Sequence, residues 1–238
     1  MPRYGYLLEA DGNPVGVILL ISSVRHKGAR EELFSNLSSW YVEPAFRSYA
    51  SLLASQALKH RDATYLNISP AANTVPTMGA LGYARYSDGV FVACPALARG
   101  TDADNAVQLP AAETPAVQFA PFEPGLLRDH AGYGCVSFWC VTQEGAYPFV
   151  FRRRLAKAVV PHAQLIYCRD TADVARFAGP IGRHLAARLC PLVVIDAAGP
   201  MPGLPGIYLA GWRPKFFKGP ERPRLGDLAY TEAAMFGV

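Results

Sequence analysis

The segment Asn36-Leu-Ser-Ser-Trp-Tyr-Val-Glu-Pro-Ala-Phe-Arg-Ser-Tyr-Ala-Ser-Leu-Leu53 constrains this chain more than any other stretch. Leu37 to Val42 reads as a strand. Pro44 has no N–H and cannot continue a ladder, and the small residues Ser48, Ala50 and Ser51 open into an apolar run that suits a helix over Ser48 to His60. A strand that ends on a proline and turns into a helix through small residues gathers backbone N–H groups at one point. Such a point suits a phosphate.

The elements around this segment alternate. Tyr4 to Glu9 and Pro14 to Ser22 are strand-like and joined by Asp11-Gly12, a pair that accepts positive φ, so they predict a hairpin. Arg25 to Glu32 is charged and reads as irregular. Thr64 to Ser69 reads as a strand, Asn73 to Leu81 as a short helix capped by its asparagine and closed by Gly82, and Tyr83 to Ala93 as an extended segment with a turn at Asp88-Gly89. Ala96 to Pro124, rich in Ala, Pro, Asp and Thr, has the composition of a linker. Beyond it the pattern restarts: Val136 to Val141 and Pro148 to Arg152 flank Gln143-Glu-Gly145, Gln164 to Cys168 is a strand, Thr171 to Arg188 a helix capped by Asp170, and Leu192 to Asp196 a strand. Ala198 to Pro223 is a Gly/Pro-rich tail, and Leu225 to Phe236 fits strand and helix equally. The expected division is residues 1–95, a linker at 96–131, and a second domain at 132–238, as 238 residues suit two domains of about 100 to 150 residues each.

Residues Tyr4 to Ala93 resemble the GNAT acyltransferases. The resemblance rests on the hairpin, on Arg47-Ser-Tyr-Ala-Ser-Leu52 in the place of that family's phosphate turn, on Asn73, and on Leu81-Gly-Tyr83. It implies an α/β fold, a GNAT-like mixed sheet flanked by helices, followed by a second α/β domain read as a candidate diverged copy. It further implies acetyl-CoA or another acyl-CoA as co-substrate and a small-molecule or peptide amine as acceptor. The cofactor-binding residues would be Trp40, Tyr41 and Val42 beside the thioester, with the Tyr41 or Val42 amide polarising its carbonyl, then Arg47, Ser48, Tyr49, Ala50 and Ser51 at the pyrophosphate, and Asn73. The match is incomplete. Ala50 replaces a glycine, Leu52 stands where a second small residue is expected, and Met78 occupies the place of a proton-donating tyrosine although its thioether carries no proton. Ser38 and Ser39 occupy the middle of the strand where an acid is expected, so no general base or catalytic residue is named. Only Met1-Pro-Arg3 precede the hairpin, where the family has a strand and two helices. The expectation is an internal start or another element in their place. The rival reading is a catalytically inactive CoA-binding or scaffold protein.

Composition excludes little. A net charge of +4 selects no partner. Nucleic acid is not expected as a partner, and homo-oligomers stay open. The longest apolar run, Val15 to Ile21, falls short of the roughly 20 residues that span a bilayer, so a cytoplasmic protein without membrane segments is expected. Five cysteines, odd in number and without a C-x-x-C pair, read as reduced core residues, with no metal site. Arg152-Arg-Arg154 with Lys157 reads as a solvated rim, His162 and His184 as structural, and Phe138, Trp139 and Phe149 as hairpin core. Lys215-Phe-Phe-Lys-Gly-Pro-Glu-Arg-Pro-Arg224 fits a grip on a nucleotide or an acidic partner, or a surface loop pinned by two phenylalanines. Tyr230-Thr-Glu232 carries groups suited to a domain cleft, with nothing in the sequence that places them there.

Overall fold

The computed structural model describes residues 3–27, 30–98, 106–156 and 160–237. In chain order the elements are β1 (Gly5–Ala10), β2 (Asn13–Lys27), β3 (Arg30–Val42), a 3-10 turn (Pro44–Tyr49), α1 (Ala50–Ala57), β4 (Ala63–Asn67), β5 (Ala84–Ala93), β6 (Val107–Pro110), α2 (Glu123–Gly132), β7 (Val136–Thr142), β8 (Gly145–Ala156), β9 (Val160–Cys168), α3 (Thr171–Arg176), α4 (Ala178–Ala186), β10 (Leu192–Ala197), β11 (Gly206–Lys218) and α5 (Glu232–Met235). This is a mixed α/β architecture in which a large sheet is flanked by few helices.

The chain divides into two compact units, but not at the expected boundaries. Residues 1–86, 215–223 and 230–232 form the first and residues 87–214, 224–229 and 233–238 the second. The tail returns to the first unit because Phe216, at 5% exposure, belongs to its core with Ile18, Leu20, Leu53 and Tyr65. The expected linker is structured in part, since it holds β6 and most of α2, whose Leu126 and Leu127 are buried.

In the first unit β1, β2 and β3 form an antiparallel meander. Asp11 and Gly12 take φ of 50° and 77°, the left-handed pair that the first hairpin requires. The strands β2 and β3 continue to Lys27 and from Arg30, through residues expected to be irregular. After α1 the chain enters β4, parallel to β3 from Leu33↔Ala63 to Asn36↔Leu66, and the end of β11 pairs with the other edge of β4. The second unit follows the same order. Strands β7, β8 and β9 form a meander, α3 and α4 follow, and β10 runs parallel to β9 from Leu192↔His162 to Val194↔Gln164, with β5 antiparallel beyond it. The first meander has a register shift between Leu8 and Glu9 of β1, and each meander carries a bulge in its third strand, which leaves Ser38 of β3 and Ile166 of β9 unpaired. In both units the parallel register ends two residues before the bulge, and 30 residues separate the last partners, Asn36 from Leu66 and Gln164 from Val194.

Several local expectations are corrected. The Asp88-Gly89 pair makes no turn: β5 is continuous, and Gly89 is needed because a Cβ there would lie 2.4 Å from the Leu209 carbonyl oxygen. The Thr171 to Arg188 helix breaks at Phe177, because Pro180 has no N–H to give the carbonyl of Arg176. Asp170 does cap it, accepting from the Ala172 N–H at 2.9 Å. The Asn73 helix reduces to one 3-10 turn at Val75–Thr77. Thr74 and Thr77 instead bond the carbonyls of Ala71 and Thr74, each at 2.8 Å. Lys215-Phe-Phe-Lys218 is strand rather than loop. It ends β11, with Lys218 Nζ donating to the Leu81 carbonyl at 2.8 Å.

All five cysteines are free, four of them buried. Trp139, Phe138 and Phe149 are buried as expected of core residues. Of the arginine run, Arg152 donates to the Tyr133 carbonyl and Arg154 to Gln164 Oε1 at 2.7 Å, while Arg153 is exposed. Lys157 lies outside the described residues. Among the described residues no helix is long and apolar enough to cross a membrane, and no three His, Cys, Asp or Glu side chains gather as a metal site.

Candidate functional site

Past Asn36↔Leu66 the pairing of β3 with β4 stops, and a wedge opens between them. It holds a cavity of about 140 Å³ lined by Ser38, Ser39 and Trp40 of β3, Asn67 of β4, and Ser69 and Thr74 beyond it. Backbone alternation sets which amides face it. The Glu43 N–H donates to the Val15 carbonyl at 2.9 Å, so the N–H groups of Tyr41 and Ser39 also point toward β2. Those of Val42 and Trp40 point to the opposite edge, from which β4 has departed. Of the two amides considered for polarising a carbonyl, Val42 is therefore the one so oriented. Tyr41 instead exposes its ring, at 59%.

The turn after β3 is tighter than an open loop. Pro44 to Tyr49 is a 3-10 segment running straight into α1, and the Ala50 N–H already donates to the Arg47 carbonyl. Arg47, Ser48, Tyr49 and Ser51 are exposed, Ala50 is half-buried, and no acidic residue stands in the first turn. The Arg47 charge and the exposed hydroxyls can meet a phosphate. The converging amides expected of this turn are partly spent within it. Leu52 is 53% exposed, while Leu53, Ala54 and Ala57 hold α1 against the core.

Asn73 is exposed and caps no helix. Its neighbours Ala71 and Thr74, not Asn73 itself, line the cavity. Met78 is 1% exposed in the core, where its sulfur accepts from Asn67 Nδ2 at 3.6 Å, so it steadies a cavity-lining amide.

Glu232, which the sequence offers without a partner or a place, joins this site. It is 1% exposed and its Oε1 accepts from Ser69 Oγ. Burial raises its carboxyl above the usual range, and the Ser69, Ser38 and Asn36 side chains oppose that rise. Asn36 is 2% exposed. Tyr230, two residues before Glu232, sits at φ 56°, a strained turn that directs the chain into α5. Its one sequence signal was an acidic residue within an otherwise apolar Ala-Tyr-Thr-Glu-Ala-Ala-Met-Phe run.

In the second unit His162 and His184 are held by structural contacts. His162 Nδ1 lies 3.3 Å from the Val160 carbonyl. His184 Nδ1 meets Gln108 Oε1 at 2.7 Å with its ring 4.1 Å from that of Phe138, and burial pushes its pKa down to about 4. It is neutral at physiological pH.

No protein-family model matches this chain, nor does any curated protein. Solved structures do. A GCN5-related N-acetyltransferase from Anabaena variabilis superposes with a TM-score of 0.57 at 11% identity, over 89% of this chain and 61% of that one. The glucosamine N-acetyltransferase region of a fungal multi-domain β-N-acetylglucosaminidase gives 0.52 at 9% identity, over 87% and 32%. A conserved Enterococcus faecalis protein described as a probable N-acyltransferase gives 0.51 at 12% identity, over 94% and 62%. The chain thus spans less than two thirds of each of these proteins. At such identities the likeness speaks of architecture, and this chain has the fold of the GCN5-related N-acetyltransferases.

Proposed function

We propose that this chain transfers an acyl group, acetyl in the first instance, from acyl-CoA to the amine of a small molecule or peptide. The observation that carries the reading is the wedge between β3 and β4. Its open edge presents the N–H groups of Trp40 and Val42, donors to which the amides of a pantetheine arm can add as a further strand would. A thioester laid there has its carbonyl oxygen near the Val42 amide, which stabilises negative charge as it develops. Arg47, with Ser48, Tyr49, Ala50 and Ser51, faces the pyrophosphate, and Asn73 lies on the same turn as cavity-lining Thr74. A cavity of about 140 Å³ has the volume of a few waters, at about 30 Å³ each, and favours acetyl over a long chain. Holding amine and thioester side by side supplies much of the rate, and the fold does this without covalent catalysis. The second unit is read as a diverged copy of the first, and the protein as a cytosolic enzyme whose cysteines are thiols and whose partners do not include nucleic acid.

A second reading, CoA binding without turnover, is favoured by the spent Ala50 amide and by buried Met78, which offers no proton to the leaving sulfur. Isothermal titration with CoA and acetyl-CoA tests both. Micromolar affinity that falls about tenfold in Arg47→Ala supports the cofactor assignment. Binding without thiol release across an amine screen favours the second reading, and no binding of either compound removes both.

A further inference from the structure

A carboxylate buried at 1% exposure is costly unless a cation or several donors compensate it. Ser38 and Asn36 from β3 and Ser69 after β4 face Glu232. None of them is titratable and none is a cation. A glutamine would fill the same space at lower cost. What the carboxylate adds is the ability to take a proton, and burial holds its affinity for one above that of a free glutamate. The connection to the cavity is direct. Ser69 is exposed, lines the cavity, and at the same time donates to Glu232 Oε1; Ser38 lines the same cavity.

Resting on the transfer reading above, we propose that Glu232 is the proton acceptor of this site, reached from the cavity through the Ser69 hydroxyl, with Ser38 beside it. The step balances as follows in chemical terms. The amine nitrogen forms a bond to the thioester carbonyl carbon, the carbon–sulfur bond breaks, and the sulfur leaves with its electron pair as a thiolate that takes a proton from solvent. Before it attacks, the ammonium nitrogen gives one proton to Ser69 Oγ while Ser69 passes its own to Glu232, which later returns it to solvent; the second proton, released as the amide forms, goes to solvent. Glu232 acts through Ser69 and touches no substrate, so it is a positioning and proton-storing residue. Its source on the chain is unusual, since 163 residues separate it from Ser69.

The test compares two probe amines with acetyl-CoA, thiol release being followed in wild type, Glu232→Gln and Ser69→Ala. Butylamine is an ammonium at neutral pH and must shed a proton, whereas hydroxylamine is neutral there. Glu232→Gln should lower kcat with butylamine about 100-fold and flatten the acidic limb of kcat/KM, with a much smaller loss toward hydroxylamine. Ser69→Ala should show the same selectivity. Acetyl-CoA affinity by calorimetry should stay within about twofold in Glu232→Gln, since that side chain touches no cofactor. Equal losses with both amines and an unchanged pH profile would mean a structural role and overturn the proposal. So would unchanged butylamine turnover. If wild type binds acetyl-CoA yet releases no thiol with either amine, the transfer reading itself fails and this inference falls with it.

Discussion

The two units share a meander, a bulge, a crossover helix and a parallel fourth strand, yet only the first keeps the wedge that this arrangement creates. Beyond the bulge in β3 the chain reads Ser38-Ser-Trp40, and those residues wall a cavity. Beyond the bulge in β9 it reads Ile166-Tyr-Cys168, all buried, and the segment from Gly226 to Leu228 lies against it. The Leu228 N–H donates to the Ile166 carbonyl at 2.7 Å, the Cys168 N–H to the Gly226 carbonyl at 3.0 Å, and Tyr167 bridges Asp227. The helix starts differ in the same sense. Arg47 stands at the first, with no acid in the opening turn, whereas Asp170 caps α3 and Asp173 follows in its first turn. A phosphate would meet a cation in one unit and two carboxylates in the other. Topology alone does not make the site. The side chains past the bulge, and what the tail does there, decide it.

The largest expected effect follows from that contrast. CoA should bind once per chain, and Ala50→Glu should remove the binding, by at least about 100-fold, because it gives the first helix start the acidic character of the second. Calorimetry reads both stoichiometry and loss. Two molecules bound per chain, or an unaffected Ala50→Glu, would erase the difference between the units.

Next in size is a change confined to the second unit. Glu123 is fully buried and held by Arg169 through bonds of 3.0 and 2.7 Å, while Arg169 also donates to the Ala146 carbonyl. Arg169→Ala strips a buried carboxylate of its cation and should cost about 3 kcal/mol, the lower end for such a loss because Arg169 is 40% exposed. Denaturant unfolding should show this with CoA affinity unchanged at temperatures where the variant is folded. A parallel fall in affinity would mean that the first unit does not hold its site by itself.

Much of this was legible in the sequence, for local reasons. Asp11-Gly12 announced the first hairpin, Pro44 the end of β3, and Asp170 the start of α3, since each acts on backbone within a few residues. What escaped depends on long-range pairing. The strand β11 lies in a Gly/Pro-rich stretch whose Pro214 argues against a strand, and it forms because Phe216 and its neighbours find β4. Asn73 pointed to a cap, but Pro76 and the threonine hydroxyls tighten the chain into turns instead. Trp40 to Val42 fall on the wedge strand, where period-two alternation turns Tyr41 away. Glu232 was out of reach of any spacing rule, as its partner is distant in sequence.

Acid should act on the two units with opposite sign. His184, in the second, has its pKa pushed down to about 4 by burial and then by Arg188, from an ordinary 6.5. Between these values the unfolded chain takes up a proton that the folded chain refuses, so stability present above about pH 6.5 is lost as the pH falls toward 4. The loss should approach about 2 kcal/mol, discounted for partial solvent access, and His184→Asn should flatten it. Thermal melts of variant and wild type across this range check it; an equally steep acid loss in both would clear His184.

The smallest expected effect is the most telling about the first unit. The Glu232 carboxyl is raised, so the folded chain keeps its proton to a higher pH than the unfolded chain, whose carboxyl ionises near the ordinary 4.5. Its contribution is complete below that pH and is lost as the pH climbs through the raised value. Glu232→Gln never ionises and escapes that loss. The variant should therefore match wild type near pH 4 and melt at a higher temperature near pH 8, as expected where a site is kept at some cost to stability. A glutamine variant that melts lower at pH 8 would mean that Ser69, Ser38 and Asn36 satisfy the ionised carboxylate well enough to make it a structural anchor, and the wedge of the first unit would then be as inert as the filled one of the second.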